Sequence, residues 1–496
     1  MSKLAKFKLR PIFKGISLTF TTEAIVLIAF FVIYRLIGEN FGPEGVGEYS
    51  LIKKVIGFLQ PLLLLGLGIG LPRYIAMSQD KGERSSYTKS GVLVVAILIF
   101  IFLIFINLFK GQFAKIFFGT ITYTNLVFPF SLFLAGLTLH ALVYSYFRGR
   151  LFVKRFNFLQ IINLSAVPLI ILIFFKNITI GRMVTLIGIT TIIISFLFSL
   201  FFIKELFGPT EKWQFKNSLK ELLKYSLPRV PGDFALAGLL SLGPIFATHF
   251  ASIQEVGYLS VSQSLLRTVG VAITPLGLVL LPKVSGLIVN EKQETIRENL
   301  NFLIGAVLQC SVFVCVQLII FTDAMIKYWL GPEFFSAIPI MRIVFLSIIF
   351  YTFYLALRSI LDAVKVKPLN TINLFISLGI FLFIAGILLF SVKLFSPIIS
   401  LSIALTSGMG CLGILTYLSI RKIYPKEMKK DLNYLWTALV INILLGAVAV
   451  LIKSFVASKL YYLIVFEIML GTVYLLSLWL LKIDWIREVP KIIKVK

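Results

Sequence analysis

The sequence predicts an all-α, polytopic membrane protein with fourteen transmembrane helices, arranged as two parallel six-helix lobes plus two C-terminal helices. Three observations predict this fold: the composition, the alternation of charge between successive loops, and an internal repeat. Of the 496 residues, 58% are hydrophobic and only 14% are charged, and the mean hydropathy is +0.97. Because soluble domains carry about a quarter of charged residues, this composition is typical of a protein that lies within a bilayer.

Apolar runs of about 20 residues, the length that crosses a bilayer, recur along the whole chain. No polar interval between them is long enough to fold as a domain, and no G-x-x-x-x-G-K-[ST] stretch occurs, so we expect no ATP hydrolysis by the chain itself. The three cysteines fall in apolar runs and predict neither a disulfide nor a metal site. We place the spans at 15–37, 50–72, 89–109, 122–147, 158–175, 181–203, 226–249, 257–282, 300–321, 336–357, 369–390, 395–420, 432–452 and 460–481.

Basic residues are concentrated in every second loop. The positive-inside rule therefore places both termini in the cytoplasm and the protein in the cytoplasmic membrane. The net charge of +26 then reflects topology and adhesion to anionic lipid, and nucleic acid is not an expected partner. The basic set includes Lys3, Lys6, Lys8, Arg10, Lys14, Arg148, Arg150, Lys154, Arg155, Lys204, Lys212, Lys216, Lys220, Lys224, Arg421, Lys422, Lys426, Lys429 and Lys430.

The chain repeats itself at an offset of 210 residues without a gap. In this register Pro72, Pro129, Tyr144, Arg148 and Asn163 meet Pro282, Pro339, Tyr354, Arg358 and Asn373. Each copy holds six spans, an even number, so the two copies share one orientation. We divide the chain into an N-terminal lobe (1–203), a cytoplasmic linker (204–224), a C-terminal lobe (225–420) and two trailing helices (421–496). Lobes related in this way, with proline-interrupted spans, are typical of transporters that work by alternating access. We expect a central cavity lined by spans one, two, seven and eight.

The stretch "IYRLIGENFGPEGVGEYSLI" carries a family resemblance. An arginine at the outer end of the first span precedes a Gly-Pro-x-x-x-Gly-x-Tyr turn, and "LPR" and "LPK" end spans two and eight. Together with the 6+6+2 plan, these residues resemble the polysaccharide-export branch of the multidrug/oligosaccharidyl-lipid/polysaccharide exporter superfamily, which includes the Wzx-type O-antigen and capsule flippases. The resemblance implies movement of a polyprenyl-pyrophosphate-linked oligosaccharide from the cytoplasmic to the outer leaflet. It also implies contact with membrane lipids and with polysaccharide assembly proteins.

Three other functions are weighed against this one. A cation-coupled multidrug antiporter of the same superfamily shares the fold and would differ in its cavity. A major-facilitator transporter is suggested by "DKGER" after span two, but that fragment lacks the ordered arginines of that family's loop. A membrane glycosyltransferase or polymerase needs a large outer loop or a metal-binding acid motif, and the sequence has neither. We therefore expect a transporter and no enzyme, with structural roles for His140 and His249.

Two acids meet in the repeat register. Glu23 in the first span corresponds to Asp233 in the seventh, each nine residues beyond matching lysines. Ionisable groups inside spans are costly, so both are candidates for coupling to a proton or a sodium ion, and we expect both to be buried. The alternative is that each acid pairs with Arg229 or a lysine and only holds helices together.

Cations inside spans are the candidates for binding the pyrophosphate. Lys53, Lys54 and Arg267 are expected to form a cluster, because Arg267 corresponds to Gly57, one turn deeper than Lys53 on the partner lobe. In the alternative, the lysines reach the interface and Arg267 pairs with an acid. The further substrate-binding candidates are Arg35, Arg229 and Arg342. Cations at cytoplasmic helix ends, such as Arg73 and Arg148, are expected to be structural.

Overall fold

The computed structural model describes residues 9–175, 178–207, 215–266, 268–270, 293–364, 369–424, 428–483 and 486, and these residues contain helices and no strand. The helices of the first half are α1 Leu9–Leu64, α2 Leu67–Met77, α3 Lys81–Leu108, α4 Lys110–Phe117, α5 Val127–Gly149, α6 Val153–Ile161, α7 Val167–Phe174, α8 Ile180–Ser199, α9 Ile203–Phe207, α10 Phe215–Ser226, α11 Val230–Ala247 and α12, residues 253–266. Those of the second half are α13 Gln293–Ile320, α14 Thr322–Trp329, α15 Ile338–Phe345, α16 Ser347–Val364, α17 Leu369–Gly386, α18 Pro397–Ile423, α19 Met428–Val456 and α20 Leu460–Leu480.

The described helices are consistent with fourteen spans. Eleven of them are long and apolar enough to cross a membrane, and a twelfth candidate is the pair Pro332–Phe345 and Ser347–Arg358, bent by 46°. One of the eleven, Ser17–Leu64, would be about 72 Å long as a single helix, more than twice the apolar thickness of a bilayer. It is broken at Gly42, whose φ of 66° is left-handed, and Pro43 begins the next helical segment. It therefore supplies the first two predicted spans, while the predicted eighth span, 257–282, is described only as far as residue 270.

The protein is a multi-pass membrane protein, and its helices expose aliphatic and aromatic side chains on their outer faces. Phe174 is 76% exposed and Leu451 is 80% exposed, values that would be costly in water but suit contact with lipid tails. Buried side chains pack between the helices instead. One such core joins α2, α3, α5 and α10 through Leu71, Val95, Leu142 and Leu222. The chain thus buries one face of each helix against protein and leaves the other for lipid.

The structure separates into two compact units, Met1–Gly257 and Tyr258–Lys496. Helix α11, which begins the second predicted lobe, packs against α1 within the first unit. The order of elements repeats along the chain: α4 and a 3₁₀ turn at Ile121–Leu126 lead into α5, and α14 and a 3₁₀ turn at Pro332–Ala337 lead into α15. The domain limits set by the repeat remain a prediction, because packing units and repeat units need not coincide.

The predicted linker contains an amphipathic helix, α10. Its apolar side places Leu222 in the core with α2 and α3, while Lys216, Lys220 and Lys224 follow its polar side. Glu221 fastens this helix at two points: its backbone carbonyl accepts a hydrogen bond from Tyr74 Oη at 3.1 Å, and its carboxylate accepts one from the Tyr87 hydroxyl. The linker therefore fixes the position of the residues that enter α11.

A lysine compensates for a proline inside α11. Pro244 has no N–H, so the carbonyl of Leu240, four residues earlier, loses its helical hydrogen bond. Lys54 of α1, only 8% exposed, donates from Nζ to this carbonyl oxygen at 3.0 Å. A buried carbonyl without a partner is costly at the depth of a bilayer. Lys54 thus holds α1 to the proline-containing turn of α11.

We predict that Lys54→Met lowers thermal stability by the cost of one unsatisfied buried carbonyl, about 1–3 kcal/mol. The measurement is thermal unfolding of the purified protein in detergent, with Lys53→Met, the adjacent position, as the matched control. In a Pro244→Ala background the helix regains its own donor, so the same lysine substitution should cost much less. Equal losses for Lys54→Met in both backgrounds would contradict this role.

A buried ion pair attaches α19 to the second unit. Arg421 Nη2 of α18 lies 2.5 Å from Asp431 Oδ2 of α19, and the two side chains are 6% and 5% exposed. Tyr417 Oη donates to the same carboxylate oxygen at 2.9 Å, and Asn301 of α13 accepts from the guanidinium at 3.4 Å. Both charges are therefore buried away from solvent, and each compensates the other.

We predict that Asp431→Ala destabilises the fold by about 3–5 kcal/mol, because it leaves Arg421 charged and buried. The comparison is Asp323→Ala, which removes the pair of Asp323 with Lys453; these side chains are 39% and 22% exposed, so the expected loss is about 0–1 kcal/mol. Unfolding in detergent measures both. Similar losses for the two variants would show that burial does not control the strength of these pairs.

Candidate functional site

A cavity of about 130 Å³ lies within the first unit. Both segments of α1 border it, together with α5, the π-helical turn at Ile162–Ala166 and the start of α7. Its wall is mostly apolar, with four residues that carry polar groups. The lining residues are Val26, Phe30, Ile33, Tyr34, Tyr49, Lys53, Phe133, Leu137, Asn163, Leu164 and Pro168.

Lys53 brings a positive charge to this cavity. Its Nζ lies 5.7 Å from the centre of the Tyr49 ring, close enough for a cation–π contact. The Tyr34 and Tyr49 rings meet edge to face at 5.7 Å, and Ser50 Oγ donates to Tyr34 Oη at 3.4 Å. Lys53 itself is exposed, unlike its neighbour Lys54. The cavity therefore combines a cation with aromatic faces and hydroxyl groups, which suits an anionic or hydroxyl-bearing ligand.

The polar end of the cavity is Asn163, in a π-helical turn at Ile162–Ala166. Its Nδ2 donates to Ser195 Oγ at 3.0 Å and lies 3.1 Å from His140 Nδ1. Its Oδ1 is buried and has no hydrogen-bond partner among the described residues. His140 is thus packed in a hydrogen-bonded cluster, and the second histidine, His249, bonds Ile116 O through Nε2 at 3.0 Å. Turns of this π-helical type are frequent at functional sites.

Glu23 of α1 faces α6 through a short row of amides. Gln160 Nε2 donates to Glu23 Oε1 at 2.9 Å, and Asn157 Nδ2 donates to Thr19 Oγ1 at 3.2 Å. The carbonyl oxygens of both amides are buried and unpartnered within the part of the chain that the structure describes. A partly buried carboxylate in contact with such an amide can bind a proton or a hard cation.

Asp233 does not match the expectation of a second buried acid. It is exposed and lies in the first turn of α11, whereas Glu23 is half-buried. Protein packing leaves its side chain exposed, so Asp233 lacks the burial expected of a second coupling acid. The two acids share a repeat position but not an environment.

Among the other predicted cations, Arg35 and Arg229 do not line the cavity, and Arg342 belongs to the second unit. Arg35 pairs with Glu39 at 2.5 Å on an exposed face, and Arg342 Nε donates to Ile319 O at 3.2 Å, near the end of α13. Arg229 Nη1 donates to Tyr225 O at 2.6 Å. Arg267 lies outside the described residues. Of the predicted cluster, the structure therefore places Lys53 at the cavity and turns Lys54 towards α11.

A larger apolar groove of about 590 Å³ lies in the second unit, between α13 and α19. Aliphatic side chains such as Val316, Ile320, Ile443 and Val450 line it. It has the chemistry to hold a hydrocarbon chain.

Comparison with known proteins agrees with this architecture. Residues 12–288 match the family described as "Polysaccharide biosynthesis protein". Among solved structures, the chain resembles "Lipid II flippase MurJ, inward closed conformation", with a TM-score of 0.73 and 16% identity over 96% of this chain and 100% of that one. It also resembles an inward-facing "multidrug resistance MATE family transporter of the MOP superfamily", with a TM-score of 0.65 and 15% identity over 80% of this chain and 94% of the other. No curated protein matches the sequence significantly.

At these identities the similarity to solved structures shows a shared fold, while the match to the family model shows membership of a family. These structural neighbours carry the names of transporters and flippases. The matched residues make up more than half of the chain. The protein therefore belongs to the polysaccharide biosynthesis protein family.

Proposed function

We propose that the protein is a flippase that moves a polyprenyl-pyrophosphate-linked oligosaccharide from the cytoplasmic to the outer leaflet by alternating access. The observation that carries this proposal is the match to a polysaccharide biosynthesis family on a fold that is also found in a lipid II flippase. Both termini then lie in the cytoplasm, and the O-antigen and capsule assembly proteins become the expected partners.

The chemistry of the cavity supports an anionic substrate over a cationic drug. Lys53 repels a cation, while an ammonium beside tyrosine hydroxyls can bind phosphate oxygens and sugar hydroxyls. Lys53 therefore takes the substrate-binding role that the sequence assigned to a larger cluster. Lys54, in contact with Leu240, becomes a positioning residue.

We predict that Lys53→Ala lowers export of the lipid-linked glycan at least tenfold with unchanged folded yield, because one charge-assisted contact is lost. Lys53→Arg should keep most of the activity. Lys110→Ala, which removes an exposed lysine on α4, is the control for charge alone. The measurement is surface polysaccharide in cells, normalised to folded protein. Full export by Lys53→Ala would favour the multidrug antiporter instead.

Export against a gradient requires coupling, and we propose Glu23 as the coupling group for a proton or a sodium ion. The support is its position inside a span and its hydrogen bond from Gln160, whose own amide oxygen is buried and has no partner among the described residues. Binding of a proton or a cation would neutralise the carboxylate and change its bond to Gln160. Asp233, exposed at the start of α11, has less support for this role.

Glu23→Gln should make export independent of the pH and sodium gradients, because the amide cannot ionise. Transport is measured in proteoliposomes with each gradient imposed separately. Glu44→Gln, a substitution of an exposed acid on the same helix, serves as control and should retain gradient dependence. If Glu23→Gln responds to both gradients as the native protein does, the coupling site lies elsewhere.

A further inference from the structure

Two arginines stack on one tyrosine ring where α2 approaches the junction of α10 and α11. The guanidinium carbon of Arg73 lies 4.1 Å from the centre of the Tyr225 ring, and that of Arg229 lies 3.8 Å from it. The two distances place these like charges within about 8 Å of each other, where they repel. We refer to Arg73, Tyr225 and Arg229 as the arginine clamp.

The clamp is held together by packing rather than by acids. Among the described residues, neither Arg73 nor Arg229 forms an ion pair, and both side chains are exposed. The nearby carboxylate of Glu221 accepts a hydrogen bond from Tyr87. Each guanidinium therefore uses its flat face on the ring and retains N–H groups at its edges.

Close helix contact fixes the position of the ring. A Cβ atom at Gly70 of α2 would lie 1.9 Å from Ser226 Oγ, and one at Gly66 would lie 2.5 Å from Ser226 O. These glycines bring α2 against the residue that follows Tyr225. The Tyr74 ring, whose hydroxyl bonds Glu221 O, also meets Tyr225 edge to face. The clamp is thus built in advance of any ligand.

We propose that the arginine clamp binds a pyrophosphate group at the predicted cytoplasmic end of the protein, as the first docking site of the lipid-linked substrate. This inference rests on the proposed function. Two guanidiniums within about 8 Å of each other, without an acid partner among the described residues, match a dianion with two phosphorus centres, which can accept N–H bonds from both. A monophosphate has one such centre and would bind the two guanidiniums more weakly. Arg73, which the sequence suggested to be structural, becomes a binding residue together with Arg229.

The test measures binding of farnesyl pyrophosphate and farnesyl monophosphate to the full-length protein in detergent, and of phosphatidylglycerol vesicles to the reconstituted protein. Arg73→Gln and Arg229→Gln should each weaken pyrophosphate binding roughly tenfold, and monophosphate binding less. Lys81→Gln removes an exposed cation at the start of α3 and is the matched control, expected to bind normally. Tyr225→Leu should also weaken binding, whereas Tyr225→Phe keeps the ring and should not.

Three results would overturn the clamp. Equal binding of farnesyl pyrophosphate by the native protein and both arginine variants would show that the clamp is not the binding site. An equal loss of binding in Lys81→Gln would show that binding depends on the general surface charge. An equal loss with phosphatidylglycerol would assign the site to lipid headgroups. Failure of the proposed function gives a different pattern, because the native protein would then bind no farnesyl pyrophosphate at all. Folding of each variant is checked by its elution profile and thermal unfolding.

Discussion

The hydrogen bond from Lys54 to the carbonyl of Leu240 shows the constraint on which the rest of the structure depends. Inside a bilayer no water is present to satisfy a polar atom, so each one must find its partner within the protein. Pro244 frees one carbonyl, and the lysine on a neighbouring helix satisfies it. The same constraint explains why Asn163 lies among His140 and Ser195 rather than against lipid. A polar group at this depth therefore needs a partner from the protein or from a ligand.

This constraint also explains which features the sequence could predict. Hydropathy and charge predict the helical membrane fold because they depend on each span alone. The break at Gly42 was likewise predictable, since a Gly-Pro pair separates two apolar runs. The partner of a lysine depends on a helix almost 200 residues away, and no local pattern reports it. Lys53 and Lys54 look equivalent in the sequence, yet one lines a cavity and the other bonds α11.

Some site residues follow a spacing pattern that is visible in the sequence. Asn157, Gln160 and Asn163 recur at intervals of three in an otherwise apolar span, which places them along one side of the helix. In the structure Asn157 bonds Thr19, Gln160 bonds Glu23, and Asn163 lines the cavity. The repeat was a weaker guide to environment. It paired Glu23 with Asp233, but Glu23 is partly buried and bonded by Gln160, whereas Asp233 is exposed.

Arginine has two opposite uses in this chain, and burial separates them. Arg421 is buried and its charge is neutralised by Asp431, so it can bind no other anion without breaking this contact between α18 and α19. Arg73 and Arg229 are exposed and stacked on an aromatic ring, which lowers the cost of holding two like charges together but does not neutralise them. A binding site for an anion requires the second arrangement, because a cation already paired with an acid offers a ligand little net attraction. The aromatic ring therefore stabilises two positive charges at a helix junction and leaves them accessible to a phosphate.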